Sequence, residues 1–298
     1  MISVSVIIPT YGNPKYLKKS IDSVLTQTLN GLELIVVDDN QPESSARKQT
    51  EKIIGEYRGR VQYIQHDCNK NGAAARNTGI RAAKGRYIAF LDSDDEYEAT
   101  RLEKCFSALE KNADKYGAVY TGCSFYRNDT LYRKYSSISS GNFLVETLAC
   151  EFAFCTGSNI FMKASIVQEL NGFDETFLRH QDYEFLVRFF EKYSILAFPE
   201  ILVRKNDEYL NLPKVGKVIE IKKQYLNKYK YLIDELSNKQ INYIYSSQYY
   251  QISQLAIESG NKAIFKQYSR LYRTKNGFDI KKEIRLFVIY LKKSIGRI

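Results

Sequence analysis

The first hundred residues of this chain alternate between short apolar runs and segments whose apolar residues recur with helical spacing. The runs are rich in β-branched and aromatic residues, which is typical of buried parallel strands. They lie at residues 4–8, 32–37, 61–64 and 87–91. Between the first two runs, Leu17, Ile21 and Val24 mark one face of a helix, and further helices are predicted at about 44–57, 72–84 and 99–112. This alternation predicts an α/β fold in which a mixed, mostly parallel sheet is flanked by helices.

The chain is predicted to have two regions. With 298 residues, 44% of them apolar, it is long enough for one large domain or two modest ones. Up to residue 210 the pattern continues the same sheet, with an apolar stretch at 118–120, helices near 143–152 and 182–193, and a strand at 194–198. The polar stretch 206–213 is the predicted boundary. Beyond it the spacing predicts an all-helical region, 216–298, with helices at about 216–236, 239–258, 261–273 and 278–295.

The net charge of +10 is concentrated in the helical region. Residues 216–298 contain 17 basic and 6 acidic residues, a net charge of +11, whereas residues 1–215 carry −1. Ten tyrosines lie among these basic residues, a composition that suits either single-stranded nucleic acid or an anionic membrane surface. In the last helix a stripe of apolar residues either faces lipid or packs on neighbouring helices. Its members are Ile280, Ile284, Phe287, Leu291 and Ile295.

Other patterns exclude classes of protein. Five cysteines without a Cys-x-x-Cys pair and two distant histidines argue against a zinc site or a disulfide framework. No apolar stretch reaches the length of a spanning helix, and the N-terminus lacks a signal-peptide layout, so we expect a cytoplasmic protein. Neither Gly-x-Gly-x-x-Gly after the first strand nor a P-loop is present, which argues against a dinucleotide dehydrogenase and a P-loop phosphohydrolase.

Polar clusters follow three of the predicted strands. They are Pro9-Thr10-Tyr11-Gly12-Asn13, Asp38-Asp39-Asn40 and Asp92-Ser93-Asp94-Asp95. Because ligands of open α/β sheets bind beyond the carboxyl ends of the strands, these clusters are expected to converge on one edge. Two carboxylates one residue apart can hold Mg²⁺ or Mn²⁺ against phosphate oxygens, although a single Asp-x-Asp is more often a solvated turn.

Three further residues suit a nucleotide. The ring of Tyr11 can stack on a base, the carboxylate of Asp39 can accept a base N–H, and Arg76, between Gly72 and Gly79, can meet a phosphate or ribose. The alternatives are a packing role for Tyr11 and an exposed helix position for Arg76. Each alternative is reasonable alone, but four such features at four strand ends together favour a nucleotide site.

These motifs carry a family resemblance. The segments 3–11, 34–39, 72–79 and 90–95 are similar in kind, order and spacing to the family 2 glycosyltransferases, which have the Rossmann-like GT-A fold. The resemblance covers about residues 1–205. It implies inverting transfer of a hexosyl or N-acetylhexosaminyl group from a nucleotide-diphosphate sugar, commonly a UDP-sugar, with Mn²⁺ or Mg²⁺. It also implies a nucleotide-binding half at 1–95 and an acceptor half at 96–210.

The resemblance assigns roles to individual residues. It places Asp92 near the ribose with Ser93 beside it, and it makes Asp94 the metal ligand. The residues that it implies around the nucleotide are Pro9, Thr10, Tyr11, Asp39 and Arg76.

The resemblance also implies a catalytic base at Asp182. Inverting displacement needs a group that takes the proton of the acceptor hydroxyl, and the family supplies it from a Glu-Asp pair that opens a helix. Here Gln181 stands in place of the glutamate. Since no charged neighbour raises its pKa, we expect Asp182 to ionise easily. The alternative is a carboxylate that only favours the helix N-terminus.

The resemblance implies a saccharide acceptor, commonly lipid-linked, used in the synthesis of capsular or other cell-surface polysaccharide. The basic region then suggests peripheral contact with the inner membrane face, and no nucleic acid is expected. Two alternatives stay open at this point. One is a nucleotidyltransferase, and the other is a non-catalytic protein that binds a sugar nucleotide or an anionic polymer.

Overall fold

The computed structural model describes residues 2–136, 138–207, 214–276 and 279–294. The chain divides into two compact units, of which the first comprises Met1–Asn142 and Ala153–Tyr209. The second comprises Phe143–Phe152 and Leu210–Ile298. The sequence places 143–152 with the first region, whereas the structure groups this segment with the C-terminal helices. Residues 208–213 of the predicted boundary lie outside the described residues.

The first unit is built from strands and helices in alternation. In chain order they are β1 (Val4–Thr10), α1 (Leu17–Leu25), β2 (Leu32–Asp38), α2 (Ser45–Gly55), β3 (Gln62–Gln65), α3 (Gly72–Ala82), β4 (Tyr87–Phe90), β5 (Asp95–Tyr97), α4 (Arg101–Lys111), β6 (Ala118–Arg127), β7 (Thr130–Tyr135), a 3₁₀ turn at Gly157–Asn159, β8 (Phe161–Lys163), α6 (Ala164–Glu169), α7 (Gln181–Phe190) and β9 (Ile195–Asn206). The described residues form one sheet of nine strands in the order β3-β2-β1-β4-β8-β6-β9-β5, with β7 paired to β6.

The sheet is mixed. Strands β3, β2, β1 and β4 run parallel, β8 is antiparallel to both β4 and β6, and β9 is parallel to β6. The apolar runs become β1, β2 and β4 because their residues are buried between helices on both faces. Helix α3 lies very close to β1, since a Cβ at Gly79 would stand 2.4 Å from Ile7 Cγ2. Because β3, β2, β1 and β4 run parallel, their carboxyl ends lie at one edge of the sheet, where the polar clusters are.

The second unit is helical. Its elements are α5 (Leu144–Leu148), α8 (Val215–Lys228), α9 (Lys230–Asp234), α10 (Asn238–Glu258), α11 (Lys262–Asn276) and α12 (Ile280–Ser294). A capping box formed by Ser237 and Gln240 starts α10. The single helix predicted at 216–236 is two helices, α8 and α9. Among the described residues, no helix combines the length and apolar composition that a membrane span needs.

The predicted fold class is confirmed: helices flank a mixed sheet, and a helical region follows.

The side chains of Leu286 and Ile289 attach α12 to a core formed by Tyr250, Ile257 and Tyr272. Its other face carries the apolar stripe, and there Ile280, Ile284, Phe287 and Leu291 are between 43% and 62% exposed. The stripe therefore does not supply the packing face of this helix. Ile295, its last predicted member, lies outside the described residues.

Candidate functional site

An open cleft of about 590 Å³ lies at the carboxyl edge of the parallel strands. It brings together eight residues that the sequence singled out: Pro9, Thr10, Tyr11, Asp39, Arg76, Asp92, Ser93 and Asp94. Asn69 and Lys15 also line it, and no sequence motif indicated them. Asn71, at the start of the segment that contains Arg76, lines it too. The ring of Tyr11 is 64% exposed, so it is not a packing residue and one face is available for stacking. Asp182 is not among the lining residues.

The carboxylate of Asp39 holds the loop that forms one wall of the cleft. Its Oδ1 lies 2.7 Å from His66 Nδ1 and accepts the Lys70 N–H at 2.8 Å. Its Oδ2 accepts from Asn69 Nδ2 at 2.7 Å and from the Asn71 N–H at 2.9 Å. Both oxygens are thus engaged by the protein, a role that the sequence did not indicate because residues 66–71 show no periodic pattern.

Asp38, the neighbouring acid, points into the protein instead. Its side chain is fully buried, and Oδ2 lies 3.0 Å from Arg47 Nε as an ion pair and accepts the Tyr63 hydroxyl at 2.6 Å. Arg47 Nη2 also donates to the backbone carbonyls of Asn40 and His66, at 2.5 and 2.8 Å. Arg47 therefore joins the ends of β2 and β3 behind the cleft. Of the two adjacent acids, Asp38 and Asp39, only Asp39 lines the cleft.

Replacing Arg47 with methionine is expected to lower the free energy of unfolding by about 3–5 kcal/mol, because Asp38 would stay buried without its cation. Urea unfolding measures this change. Lys48→Met removes an exposed charge from the same helix and should cost no more than about 1 kcal/mol. Equal small losses in both variants would show that the buried pair does not stabilise this edge.

Three acidic side chains form a cluster at the end of β4. Oxygens of Asp92, Asp94 and Asp95 all lie within 4.8 Å of one another. Asp95 is fully buried, and its Oδ2 accepts from Ser158 Oγ at 2.6 Å. Its Oδ1 has no hydrogen-bond partner among the described residues and lies 3.8 Å from Lys205 Nζ. Burial raises the pKa of Asp95 well above the ordinary range.

The cluster fits a divalent cation. A buried carboxylate oxygen without a hydrogen bond, beside two further carboxylates at the rim of a cleft, is the oxygen-rich environment that Mg²⁺ and Mn²⁺ prefer. The sequence placed Asp95 in the polar cluster that follows β4 but gave it no role toward a metal. Asp95 joins Asp92 and Asp94 because the chain turns directly into β5, which pairs with β9.

Arg76 connects the acidic cluster to the start of α7. Its Nη2 donates to Asp92 Oδ1 at 2.7 Å, and its Nη1 donates to Gln181 Oε1 at 3.3 Å. Burial alone would raise the pKa of Asp92, but Arg76 and Lys205 lower it. The guanidinium thus lies at the cleft as predicted and also links residues of two distant segments.

Asp182 lies in the first turn of α7, against the backbone of the 3₁₀ turn. A Cβ at Gly157 would stand 2.9 Å from Asp182 Oδ1, so the carboxylate lies directly against this glycine. This oxygen is buried without a hydrogen-bond partner among the described residues. Burial raises the pKa of Asp182, and the nearby charge of Arg76 offsets this only in part. The expectation that Asp182 ionises easily is therefore wrong, because burial was not visible in the sequence.

The charges of Arg76, Asp92 and Lys205 all act on Asp182, so this carboxylate and the acidic cluster belong to one charge network. The nearby Glu184 belongs instead to the structure of α7. It is fully buried, and Arg188 donates to both of its oxygens at 2.7 and 2.8 Å. The site therefore combines an open cleft, an acidic cluster that fits a divalent cation and a partly buried aspartate of raised pKa.

Comparisons with known proteins give a family and two informative relatives. Residues 5–170 match the family described as glycosyl transferase family 2. An uncharacterised glycosyltransferase of Methanocaldococcus jannaschii is 32% identical over 258 residues, with 79% of this chain and 80% of that protein covered. The amylovoran biosynthesis glycosyltransferase AmsB of Erwinia amylovora is 29% identical over 194 residues, with 63% of this chain and 64% of that protein covered.

Solved structures share the fold. The structure of S. aureus TarS 1-349 in complex with UDP has a TM-score of 0.58 at 15% identity, covering 99% of this chain and 92% of that chain. The same fragment in complex with UDP-GlcNAc has a TM-score of 0.58 at 14% identity. At these identities the likeness concerns the fold alone.

Proposed function

Because this chain belongs to glycosyltransferase family 2, we propose that it moves a sugar, with inversion, from a UDP-sugar to a saccharide acceptor. The protein is a glycosyltransferase, and the donor, the metal and the acceptor are the proposed parts. One observation carries the proposal. The acidic cluster at the cleft and the partly buried carboxylate of Asp182, whose pKa is raised, both lie within the charge network around Arg76.

The lining of the cleft and the family resemblance support the proposed roles. Pro9, Thr10, Tyr11 and the loop held by Asp39 form the nucleotide wall, with the exposed ring of Tyr11 stacking on the base. Asp92 and Ser93 lie at the ribose. Asp94, with Asp95, holds Mn²⁺ or Mg²⁺, which when bound neutralises charge on the diphosphate. Such a leaving group needs no second carboxylate as general acid.

Asp182 is proposed as the general base. It takes the proton of the acceptor hydroxyl while that oxygen bonds to the sugar carbon and the bond from this carbon to the diphosphate oxygen breaks. A raised pKa makes the carboxylate a stronger base than an ordinary aspartate, which favours proton transfer. Gly157 leaves the space that this carboxylate occupies.

A panel of nucleotide sugars with Mn²⁺ or Mg²⁺ tests the proposal. We expect slow release of free UDP, without sugar 1-phosphate, from one UDP-sugar. Release of sugar 1-phosphate would favour a nucleotidyltransferase instead, because transfer of the nucleotidyl group leaves the second phosphate on the sugar. The absence of nucleotide binding with every donor would favour a non-catalytic binding protein, and either result would contradict the proposal.

The acceptor is proposed to be a lipid-linked saccharide in the synthesis of a cell-surface polysaccharide. The support is the name of the relative AmsB, an amylovoran biosynthesis glycosyltransferase, together with the charge of residues 216–298. An acceptor of this kind lies at the cytoplasmic face of the membrane, where we also propose that the protein acts. The sugar transferred is proposed to be a hexose or an N-acetylhexosamine.

Helix α12 is the proposed membrane contact. Its outward face exposes apolar side chains at Ile280, Ile284 and Phe287, and Lys281 and Arg285 are exposed beside them. An amphipathic helix with basic flanks binds anionic bilayers by burying its apolar face and pairing its cations with lipid headgroups. The charge of +11 in this region makes an anionic surface the favoured partner.

Liposome flotation measures this contact. We expect the full chain to float with anionic vesicles, and Ile284→Glu with Phe287→Glu to reduce the bound fraction by roughly tenfold. Tyr231→Glu is the matched control, since Tyr231 is 55% exposed on α9, outside the stripe. Equal binding by the double variant and this control would remove α12 from the proposal.

A further inference from the structure

A lysine faces the acidic cluster from a different part of the sheet. Strand β9 pairs with β5 in a register that sets Lys205 directly opposite Asp95. Its Nζ lies 3.8 Å from Asp95 Oδ1 and 3.9 Å from Asp207 Oδ1, and its side chain is 23% exposed. The sheet itself therefore fixes an ammonium group beside the proposed metal ligands.

The ammonium stays charged. A lysine side chain is ordinarily protonated at neutral pH, and this ammonium group lies 3.8 Å from a carboxylate oxygen of Asp95 and 3.9 Å from one of Asp207. At 3.8 Å from Asp95, the group is too far for a strong hydrogen bond and close enough for a substantial Coulomb interaction. Lys205 therefore interacts with Asp95 through its charge and not through a hydrogen bond.

The charge balance of the cluster depends on this residue. Two cations face the carboxylates of the cluster, namely Arg76 beside Asp92 and Lys205 beside Asp95. Arg76 is committed to Asp92 and Gln181 by its hydrogen bonds. A divalent ion that enters the cluster therefore meets the repulsion of Lys205 at short range.

We propose that Lys205 is an internal counter-cation that stabilises the aspartate cluster without metal and weakens its affinity for a divalent ion. The inference rests on the proposed metal site. In the absence of metal, the ammonium group of Lys205 partly neutralises the carboxylates of the cluster. A divalent ion that binds there would take over this role. Metal affinity is thereby set by β9 as well as by the ligands.

Calorimetric titration of the full chain with Mn²⁺ alone tests this inference. We expect Lys205→Met and Lys205→Gln to bind Mn²⁺ at least about tenfold more tightly than the wild type. Lys205→Arg, which keeps the charge, should bind as the wild type does. Lys52→Met removes an exposed charge from α2 and should change nothing. Adding Asp94→Ala to Lys205→Met should abolish the gain, and circular dichroism checks that each variant is folded.

The outcomes separate this inference from the proposed function. Neutral variants that fold and bind Mn²⁺ no more tightly than the wild type would overturn the inference, leaving metal-dependent transfer intact. Tight binding by the neutral variants, with none by the wild type, would support the inference and contradict metal dependence of the native protein. If no variant bound Mn²⁺ and UDP release persisted in EDTA, both the metal site and the inference would fall, but the transferase would stand.

Discussion

Replacing Asp182 with asparagine is expected to lower the rate of sugar transfer by about 10²–10⁴-fold, the usual contribution of a general base. Asparagine keeps the shape that fits against Gly157 but cannot accept the acceptor proton. Asp182 does not line the cleft proposed for the nucleotide, so the affinity for UDP should change little. Steady-state turnover and UDP titration measure the two effects separately.

The pH profile gives an independent test of this role. Burial raises the folded pKa of Asp182 above its ordinary value, and the base works only when deprotonated. The rate should therefore fall, as pH is lowered, at a pH above the usual aspartate value of about 3.9. A profile with its acid limb at that ordinary value, or an asparagine variant with wild-type turnover, would exclude Asp182 as the base.

Asp94→Ala should lower turnover by at least about 10²-fold, because the diphosphate would lose the cation that neutralises it as the sugar bond breaks. UDP release from the preferred donor, followed over a series of Mn²⁺ concentrations, measures the loss. Asp114→Asn is the matched control, since Asp114 is an exposed aspartate outside the cleft. Turnover in Asp94→Ala that equals that of Asp114→Asn at every metal concentration would contradict the proposed ligand.

The sequence predicted the part of the fold that local patterns determine. Continuous apolar runs became β1, β2 and β4, and the polar clusters that follow them line one cleft. The short strands β5 and β8 were not predicted, because three residues are too few to show a period. Segment 143–152 was grouped with the wrong unit because its contacts are made by residues far along the chain.

The structure brings together at one cleft the acidic residues that the motifs indicated, but the motifs did not reveal what surrounds them. The motifs indicated Asp39, Arg76 and Asp94, since each follows or opens a regular element. They did not indicate Lys205, which reaches the cluster only through the pairing of β9 with β5. Nor did they indicate the burial that raises the pKa of Asp182, because burial is a property of packed neighbours and not of spacing.

The four donors around Asp39 have a consequence for how a nucleotide arrives. The wall formed by residues 66–71 keeps its conformation by bonds internal to the protein, so ligand entry does not have to order it. Association on this side is then limited by diffusion into an open cleft and not by a loop that must first close. Free and nucleotide-bound forms should accordingly superpose closely along this wall, and any slow step must come from another part of the catalytic cycle.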